Sequence, residues 1–296
     1  MKIITNLDFQ LDNTAVCIGK FDGIHRGHRL LVNEAKNSGL ATVMITFLFP
    51  NVQSIYSREE KRFLAEELGI DILVEISVTK EFMRMQAKTF SREILAERLG
   101  AKKVVVGADF CFGYKRAGNV DFLIKEGKKC GFEVFVFEKL RQDGEVISST
   151  RIREEILKGN MSEANALLAT PYFLRGKVEE GNHIGRTMSV PTANLYPPAA
   201  KVLPPYGVYA VRAEVEGKRF GGVGNLGVKP TIPGENPVGM EVWLFGYNGN
   251  LYGKVLTVSF IEFLRHEKKF ASIEELKEQT KKDTNRAEEI LSLRDR

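Results

Sequence analysis

With 296 residues, the chain is about twice the commonest domain length, which favours two separate cores. It is 43% hydrophobic and 27% charged, and no run approaches the ~18 to 20 apolar residues of a membrane-spanning helix, so the composition is that of a soluble globular protein. The 43 basic and 38 acidic residues leave a net charge of +5 and a pI near 8.9, but the charges are interspersed rather than gathered in a block. That pattern fits an enzyme for polyphosphate substrates, and no nucleic-acid or membrane partner is expected. Residues 1–13 carry Asp8 and Asp12 and no apolar centre, so they do not read as a secretion signal and the expected location is the cytoplasm. Cys17, Cys111 and Cys130 form no Cys-x-x-Cys pair, which excludes a cysteine zinc site and fits a reducing compartment.

In chain order, the first half alternates short apolar runs with helical stretches. Strands are expected at 15–18, 41–47, 72–76, 103–106 and 133–137, with helices at 28–36, 58–68, 90–99, 120–129 and 150–157. This is a doubly wound α/β layout with a parallel sheet, whose ligands bind in loops at the carboxyl ends of the strands. Near residues 160–172 the rhythm changes. From Pro171 onward, glycine-punctuated alternation such as Val208-Tyr209-Ala210-Val211 predicts an antiparallel β domain. A closing helix is expected from Ser272, where Ser272-Ile273-Glu274-Glu275 reads as a capping box and Ile273, Leu276, Thr280, Ala287 and Ile290 follow a helical stripe. The mixed-sign tail, residues 267–296, reads as the solvated face of that helix. The expected domains are 1–165 and 170–296.

The most informative cluster is Gly19-Lys20-Phe21-Asp22-Gly23-Ile24-His25-Arg26-Gly27-His28. Two of only four histidines fall in it, directly after a strand and before a helix. A glycine-flanked turn at a helix start offers free N–H groups to an anion, and two imidazoles three residues apart both reach its oxygens. Attack on a nucleoside triphosphate's α-phosphate loads charge onto the equatorial oxygens, where fixed cations or N–H donors stabilise the transition state. The same residues also suit a plain helix start with exposed histidines, or half of a metal site.

Gly-x-Phe-Asp-Gly-x-His-x-Gly-His resembles the nucleotidylyltransferase signature of the bacterial bifunctional riboflavin kinase/FAD synthetase family. Two later segments share the resemblance. Residues 106–113 with Arg116 and Gly118 look like the family's adenosine-contacting loop, and residues 147–153 look like its phosphate-binding helix start. The resemblance implies nucleotide contacts from Gly19, Phe21, Asp22, Gly23, Asp109, Arg116, Ser148, Ser149, Thr150 and Arg153, with His25 and His28 catalytic. Arg151 and Arg153 at a helix start oppose its dipole, so an anion or the following Glu154 and Glu155 should compensate them. One segment departs from the family: its Thr-Phe-x-Pro-His-Pro stands here as Thr46-Phe47-Leu48-Phe49-Pro50-Asn51.

Downstream, Pro191-Thr192-Ala193-Asn194 follows Gly176, Gly181, Gly185 and Arg186 and resembles the riboflavin kinase signature, as do Gly224-Asn225-Leu226-Gly227, Glu241-Val242-Trp243-Leu244 and residues 263–270. A hydroxyl ligand from Thr192 and an amide oxygen from Asn194 suit Mg²⁺ bridging phosphates. By alternation, Glu241 shares a strand face with Trp243 and Phe245, either projecting among aromatics or facing outward. The resemblance makes Glu241 the general base for the riboflavin 5′-hydroxyl, and Gly185, Arg186, Asn194 and Arg265 ligand contacts. Ser189-Val190 and Gly246-Tyr247 replace the family's usual Gly-Phe and Asp-Phe. The pattern Gly222-x-Gly224-x-x-Gly227 is a turn rather than a dinucleotide fingerprint, because Pro230 and Pro233 follow it.

The implied fold is a Rossmann-like nucleotidylyltransferase domain followed by a β-barrel domain closed by a helix. The implied function is ATP-dependent phosphorylation of riboflavin to FMN, then adenylylation of FMN to FAD, with Mg²⁺ as cofactor, ATP as co-substrate, FMN and FAD as product ligands, and a monomer or weak homo-oligomer as the working form. Two alternatives stand beside it: a kinase with impaired adenylyl transfer, suggested by the altered 49–51 loop, and a non-catalytic flavin- or RNA-binding regulator.

Overall fold

The computed structural model describes residues 1–50, 52–179, 192–228 and 237–293. The chain divides into two compact units, Met1–Ser149 and Thr150–Arg296.

The first unit runs β1 (Lys2–Ile4), β2 (Thr14–Ile18), α1 (Arg26–Lys36), β3 (Ala41–Leu48), α2 (Arg58–Glu67), β4 (Ile72–Ser77), the short turns α3 (Lys80–Met83) and α4 (Ala87–Thr89), a π-helical segment Phe90–Arg98, β5 (Ala101–Gly107), α5 (Val120–Cys130), β6 (Glu133–Phe137) and a small hairpin of β7 (Arg141–Gln142) and β8 (Glu145–Val146). Six strands form one parallel sheet in the order β1-β4-β3-β2-β5-β6. Every residue of β2 is buried, as expected for a central strand covered on both faces. The apolar core gathers Val16, Ile18, Val43, Ile45, Val74, Val104 and Val106 from the strands with Phe90, Ile94, Leu95 and Leu123 from the helices. The five expected strands are present, with ends shifted by up to two residues. β1, a three-residue edge strand, carries too little pattern to be read from sequence. The stretch expected as an ordinary helix at 90–99 is wound as a π-helix, a difference in hydrogen-bond step that apolar spacing over two turns does not specify.

Strand order reverses at β2, whose neighbours are β3 on one side and β5 on the other. In such sheets the ligand crevice opens at the carboxyl ends of the two strands flanking the reversal, here β2 and β5. The loop after β2 is the His25–His28 segment, and the loop after β5 carries Asp109 and Arg116.

Helix α6 (Ser149–Lys158) begins at the last residue of the first unit. The second unit continues with α7 (Met161–Leu167), β9 (Phe173–Lys177), β10 (Thr192–Leu195), β11 (Gly207–Val215), β12 (Lys218–Val228), β13 (Val238–Leu244), β14 (Val255–Arg265) and α8 (Ile273–Leu293). Its antiparallel sheet has the order β10-β13-β12-β11-β14-β9. The two edge strands meet through an antiparallel bridge between Glu179 and Asn194, where the Glu179 N–H donates to the Asn194 carbonyl at 3.0 Å, so the sheet curls round on itself. Leu174, Leu195, Leu226, Met240, Val242, Val211 and Val258 are buried along its strands. Helix α8 packs Ala287, Ile290 and Leu291 on Ala210 and Ile261. The expected stripe on α8 holds at Ala287 and Ile290 but fails at Ile273, which is 59% exposed, because the helix touches the sheet only over its later turns. The Ser272 hydroxyl does accept the Glu275 N–H at 3.1 Å, while Glu275 reaches back to the Ala271 N–H rather than to that of Ser272.

Gly113 shows how tightly the loop after β5 is held. Its φ is +74°, and a Cβ there would stand 2.6 Å from both the backbone nitrogen and the Cα of Ala87. Backbone cannot give way as a flexible side chain can, and the left-handed conformation adds strain for any other residue. Gly113→Ala should therefore destabilise the first unit by about 1–3 kcal/mol or more. A thermal unfolding profile unchanged from the parent protein would show that the loop is not wedged against α4.

Candidate active sites

In the first unit the loop between β2 and α1 is strained and pinned. Phe21 and Ile24 adopt φ of +46° and +39°, a region that bulky and β-branched residues rarely enter. Burial of both side chains, 1% and 2% exposed, offsets that strain. The Phe21 ring packs beneath His28, with centroids 4.9 Å apart, and Gly19 leaves room for it, since a Cβ there would stand 3.3 Å from the ring. Phe21, expected as a nucleotide contact, also packs against His28 in this way. Gly23, with φ of +88°, supplies the turn. The loop is tied at three points: the Asp22 carboxylate accepts the Ile55 N–H at 2.8 Å, its carbonyl accepts the Ser149 hydroxyl at 2.5 Å, and the Thr46 hydroxyl donates to the Lys20 carbonyl at 3.0 Å.

His25 and His28 form a reciprocal cap on α1. The His28 N–H donates to His25 Nδ1 at 3.4 Å, and the His25 N–H donates to His28 Nδ1 at 3.3 Å. The rings stack with centroids 3.7 Å apart. An Nδ1 that accepts a hydrogen bond carries no proton, so each neutral ring bears its hydrogen on Nε2. Burial pushes the His25 pKa down to about 4, and burial followed by the charge of its neighbour holds His28 well below the usual histidine range. At neutral pH the pair is therefore two uncharged Nε2–H donors held side by side. This sharpens the sequence reading, which allowed for cations. Among the described residues no cluster of three or more His, Cys, Asp or Glu could hold a metal ion, so nothing there completes a metal site around these histidines.

The loop after β5 presents Asp109, paired with Lys139 at 2.8 Å, and Arg116, which with Lys115 adopts positive φ (+58° and +52°). Two consecutive non-glycine residues in this region mark a loop held in shape by its surroundings. Ser148 and Ser149 stand at the entry to α6; Thr150 and Arg153 lie one and four residues beyond Ser149 in the same helix. Arg151 pairs with Glu163 of α7 at 2.7 Å. Glu155 pairs with Lys158 and Asn160, and the charge of Arg151 also helps to hold its pKa down. A partner on the next helix was not visible in the local sequence.

In the second unit, strand register assembles a polar row. Asn194 on β10 lies opposite Glu241 on β13, and Glu241 lies opposite Asn225 on β12. Thr192 is opposite Trp243, one step along the same face. The flanking Met240 and Val242 are fully buried, so Glu241 points to the other, outer side of the curled sheet, where it is half-buried. Trp243 and Phe245 share that face and meet edge to face at 5.4 Å. Glu241 is therefore both outward-facing and beside aromatics, which joins the two alternatives left open by alternation. Tyr196, two residues beyond Asn194, has its pKa raised by burial and then by the charges of Glu179 and Glu241. Sequence reasoning missed Tyr196 and Glu179, whose only signal was their spacing around Asn194.

Arg265, expected to contact ligand, binds Asp283 of α8 with its Nε (3.0 Å) and Nη2 (2.7 Å), and Gln279 donates to the same carboxylate at 2.9 Å. It fastens α8 to the end of β14. Gly185 and Arg186, with Pro191 and residues 229–231, lie outside the described residues.

Comparison with known proteins decides what the two sites belong to. A family model described as FAD synthetase matches residues 8–151, and one described as riboflavin kinase matches residues 168–291. The bifunctional riboflavin kinase/FMN adenylyltransferase of Escherichia coli K12 is 33% identical over 95% of this chain and 94% of its own length. The chain belongs to this family. The enzyme of the same name from Bacillus subtilis is 33% identical over 93% of the chain and 91% of its own length. A crystal structure described as a macrolide-efflux protein from Streptococcus pneumoniae shares the fold, with a TM-score of 0.83 and 30% identity over 96% of this chain and 98% of that one. No helix among the described residues of this family member is long and apolar enough to cross a membrane.

The capped pair makes a direct prediction. In histidine NMR spectra of the protein without ligands, His25 and His28 should stay neutral, with the proton on Nε2, as pH falls from 7 to 5, and His25 should titrate only near pH 4. A midpoint near 6.5 for either ring would contradict the reciprocal cap.

Proposed function

We infer that this protein makes FAD from riboflavin in two ATP-dependent steps, riboflavin phosphorylation followed by FMN adenylylation. The observation that carries the reading is the presence of a separate polar constellation in each unit, each on the segment matched by the corresponding family model. Residues 1–165 are proposed as the adenylyltransferase domain and 170–296 as the kinase domain, working in the cytoplasm as a monomer or weak homo-oligomer without nucleic acid.

In the kinase reaction, Glu241 takes the proton of the riboflavin 5′-hydroxyl as that oxygen attacks the γ-phosphorus of ATP, and ADP leaves. Gly185, Arg186, Asn194 and Arg265 are assigned to the ligands. For Arg265 this role passes through Asp283, whose ion pair holds it in place. Thr192 and Asn194 offer only neutral oxygens on one strand face, a donor set that fits Mg²⁺ when substrate phosphates provide the charge. When bound, that ion would neutralise phosphate charge; Thr192 would hold it, with Asn194 beside it.

In the second reaction, a phosphate oxygen of FMN attacks the α-phosphorus of ATP and pyrophosphate leaves. His25 and His28 donate Nε2–H to the α-phosphate oxygens as charge accumulates there. Gly19, Asp22, Gly23, Ser148, Ser149, Thr150 and Arg153 cradle the triphosphate, Asp109 and Arg116 face the adenosine, and Phe21 supports His28. Neutral donors suffice here because each gains strength as the oxygens gain charge.

Incubation of the purified protein with riboflavin, Mg²⁺ and ATP should yield both FMN and FAD. Glu241→Gln should slow FMN formation by about 10²-fold or more and leave FMN-to-FAD conversion intact. His28→Ala should slow adenylyl transfer by about 10²-fold and spare the kinase. Loss of both activities in either variant would contradict separate sites. The alternative of a kinase alone has one observation in its favour: Phe49, in the altered loop, is 41% exposed and carries the Lys20 ammonium 5.1 Å from its ring centroid. FMN accumulating without FAD would support that alternative.

A further inference from the structure

The first unit holds a half-buried cation that none of the roles above employs. Arg58, Lys61 and Arg62 lie within five residues of α2. Arg58 and Arg62 both converge on Glu75 of β4, a buried carboxylate, with Arg58 Nη2 at 2.7 Å and Arg62 Nη2 at 2.6 Å. Lys61 has no such partner: its ammonium makes no hydrogen bond or ion pair to any described residue. Its electrostatic neighbours are Asp22, in the loop that carries His25 and His28, then Glu75, with Arg58 opposing them. Burial is the largest influence on Lys61 and pulls its pKa down, which the two carboxylates only partly offset.

Placement relates this cation to the reaction loop. The segment leading into α2 is pinned there by the Ile55 N–H donating to the Asp22 carboxylate. Ser57 and Glu60 cap the helix reciprocally, which fixes the first turn and the direction in which Lys61 leaves it. In sheet order, α2 follows β3, on the side of β2 away from β5 and the Asp109–Arg116 loop. A half-buried ammonium beside two guanidiniums that share a single carboxylate is disfavoured until a further anion arrives.

We propose that Lys61 binds the phosphate of the acceptor, FMN, and holds it for attack on ATP. The proposal rests on the adenylyl-transfer reading of His25 and His28. In that step one FMN phosphate oxygen forms a bond to the α-phosphorus, the bond from that phosphorus to the bridging oxygen breaks, and pyrophosphate leaves with the electron pair. Near neutral pH the acceptor phosphate is already largely ionised, so no base is required. What the step does require is that two polyanions meet, and neutral imidazoles do not cancel their repulsion. In-line displacement puts nucleophile and leaving group on opposite sides of the α-phosphorus. Lys61, on the β3 side and away from the adenosine loop, is assigned on this proposal to the incoming phosphate rather than to the leaving pyrophosphate.

The test is steady-state kinetics of the full-length Lys61→Met protein. The KM for FMN should rise about tenfold or more. The KM for ATP should change less than about twofold, and riboflavin phosphorylation by the same preparation should be unaffected. Lys61→Arg should recover most of the loss, which a packing role for the lysine stem would not predict. An unchanged KM for FMN overturns the proposal. So does a rise confined to ATP in the forward reaction and pyrophosphate in the reverse one, which would assign the cation to the leaving group. Should Lys61→Met fail to fold, Lys61→Gln is read by the same criteria. A parent protein that makes no FAD from FMN sinks the adenylyl-transfer reading together with the proposal, whereas an active parent with an indifferent Lys61 sinks the proposal alone.

Discussion

The reciprocal hydrogen bonds between His25 and His28 are the constraint from which the first unit's chemistry follows. Each ring spends its Nδ1 on the other's backbone N–H, closing two of the unsatisfied donors at the start of α1. What remains for a substrate is a pair of Nε2–H groups in a fixed, stacked geometry. The strained turn through Phe21 and Ile24, the Gly19 gap that admits the Phe21 ring, and the anchors on Asp22 all serve to hold that pair at the carboxyl end of β2. Preorganised dipoles of this kind need not reorient as charge develops. They bring no net charge, however, so neutralisation of the phosphates falls to cations elsewhere in the site.

The second unit solves its problem with register rather than with a strained turn. A one-residue slip of β13 would carry Glu241 to the interior and Met240 to the outside. Apolar packing of Met240, Val242, Leu226 and Leu195 prevents that slip, and the same packing sets Glu241 between Asn194 and Asn225. The Glu179–Asn194 bridge joins the sheet's edges at this row, so the step that closes the fold also fixes Asn194 beside the carboxylate.

Much of this was legible in the amino-acid order, and what was not has physical causes. Buried parallel strands such as Ala15-Val16-Cys17-Ile18 announce themselves as unbroken apolar runs, and the glycine-flanked histidines mark a helix start. The tautomer of those histidines depends on a reciprocal geometry that residue types alone do not encode. Glycine spacing located the turn but did not show that Phe21 packs against His28. Arg151 with Glu163, and Arg265 with Asp283, are pairs whose partners lie 12 and 18 residues away, beyond the reach of local compensation. Tyr196 and Lys61 were passed over for a related reason: an isolated tyrosine or lysine acquires meaning only from the charges that folding brings beside it.

The central claim is that two chemistries run at two independent sites in one chain. A mixture of Glu241→Gln and His28→Ala proteins, supplied with riboflavin and ATP, tests it most directly. The account predicts that FMN accumulates from the second protein and is then converted to FAD by the first, although neither alone makes appreciable FAD from riboflavin. A mixture that yields no FAD would contradict it, because each substitution would then have disabled a site that both reactions share.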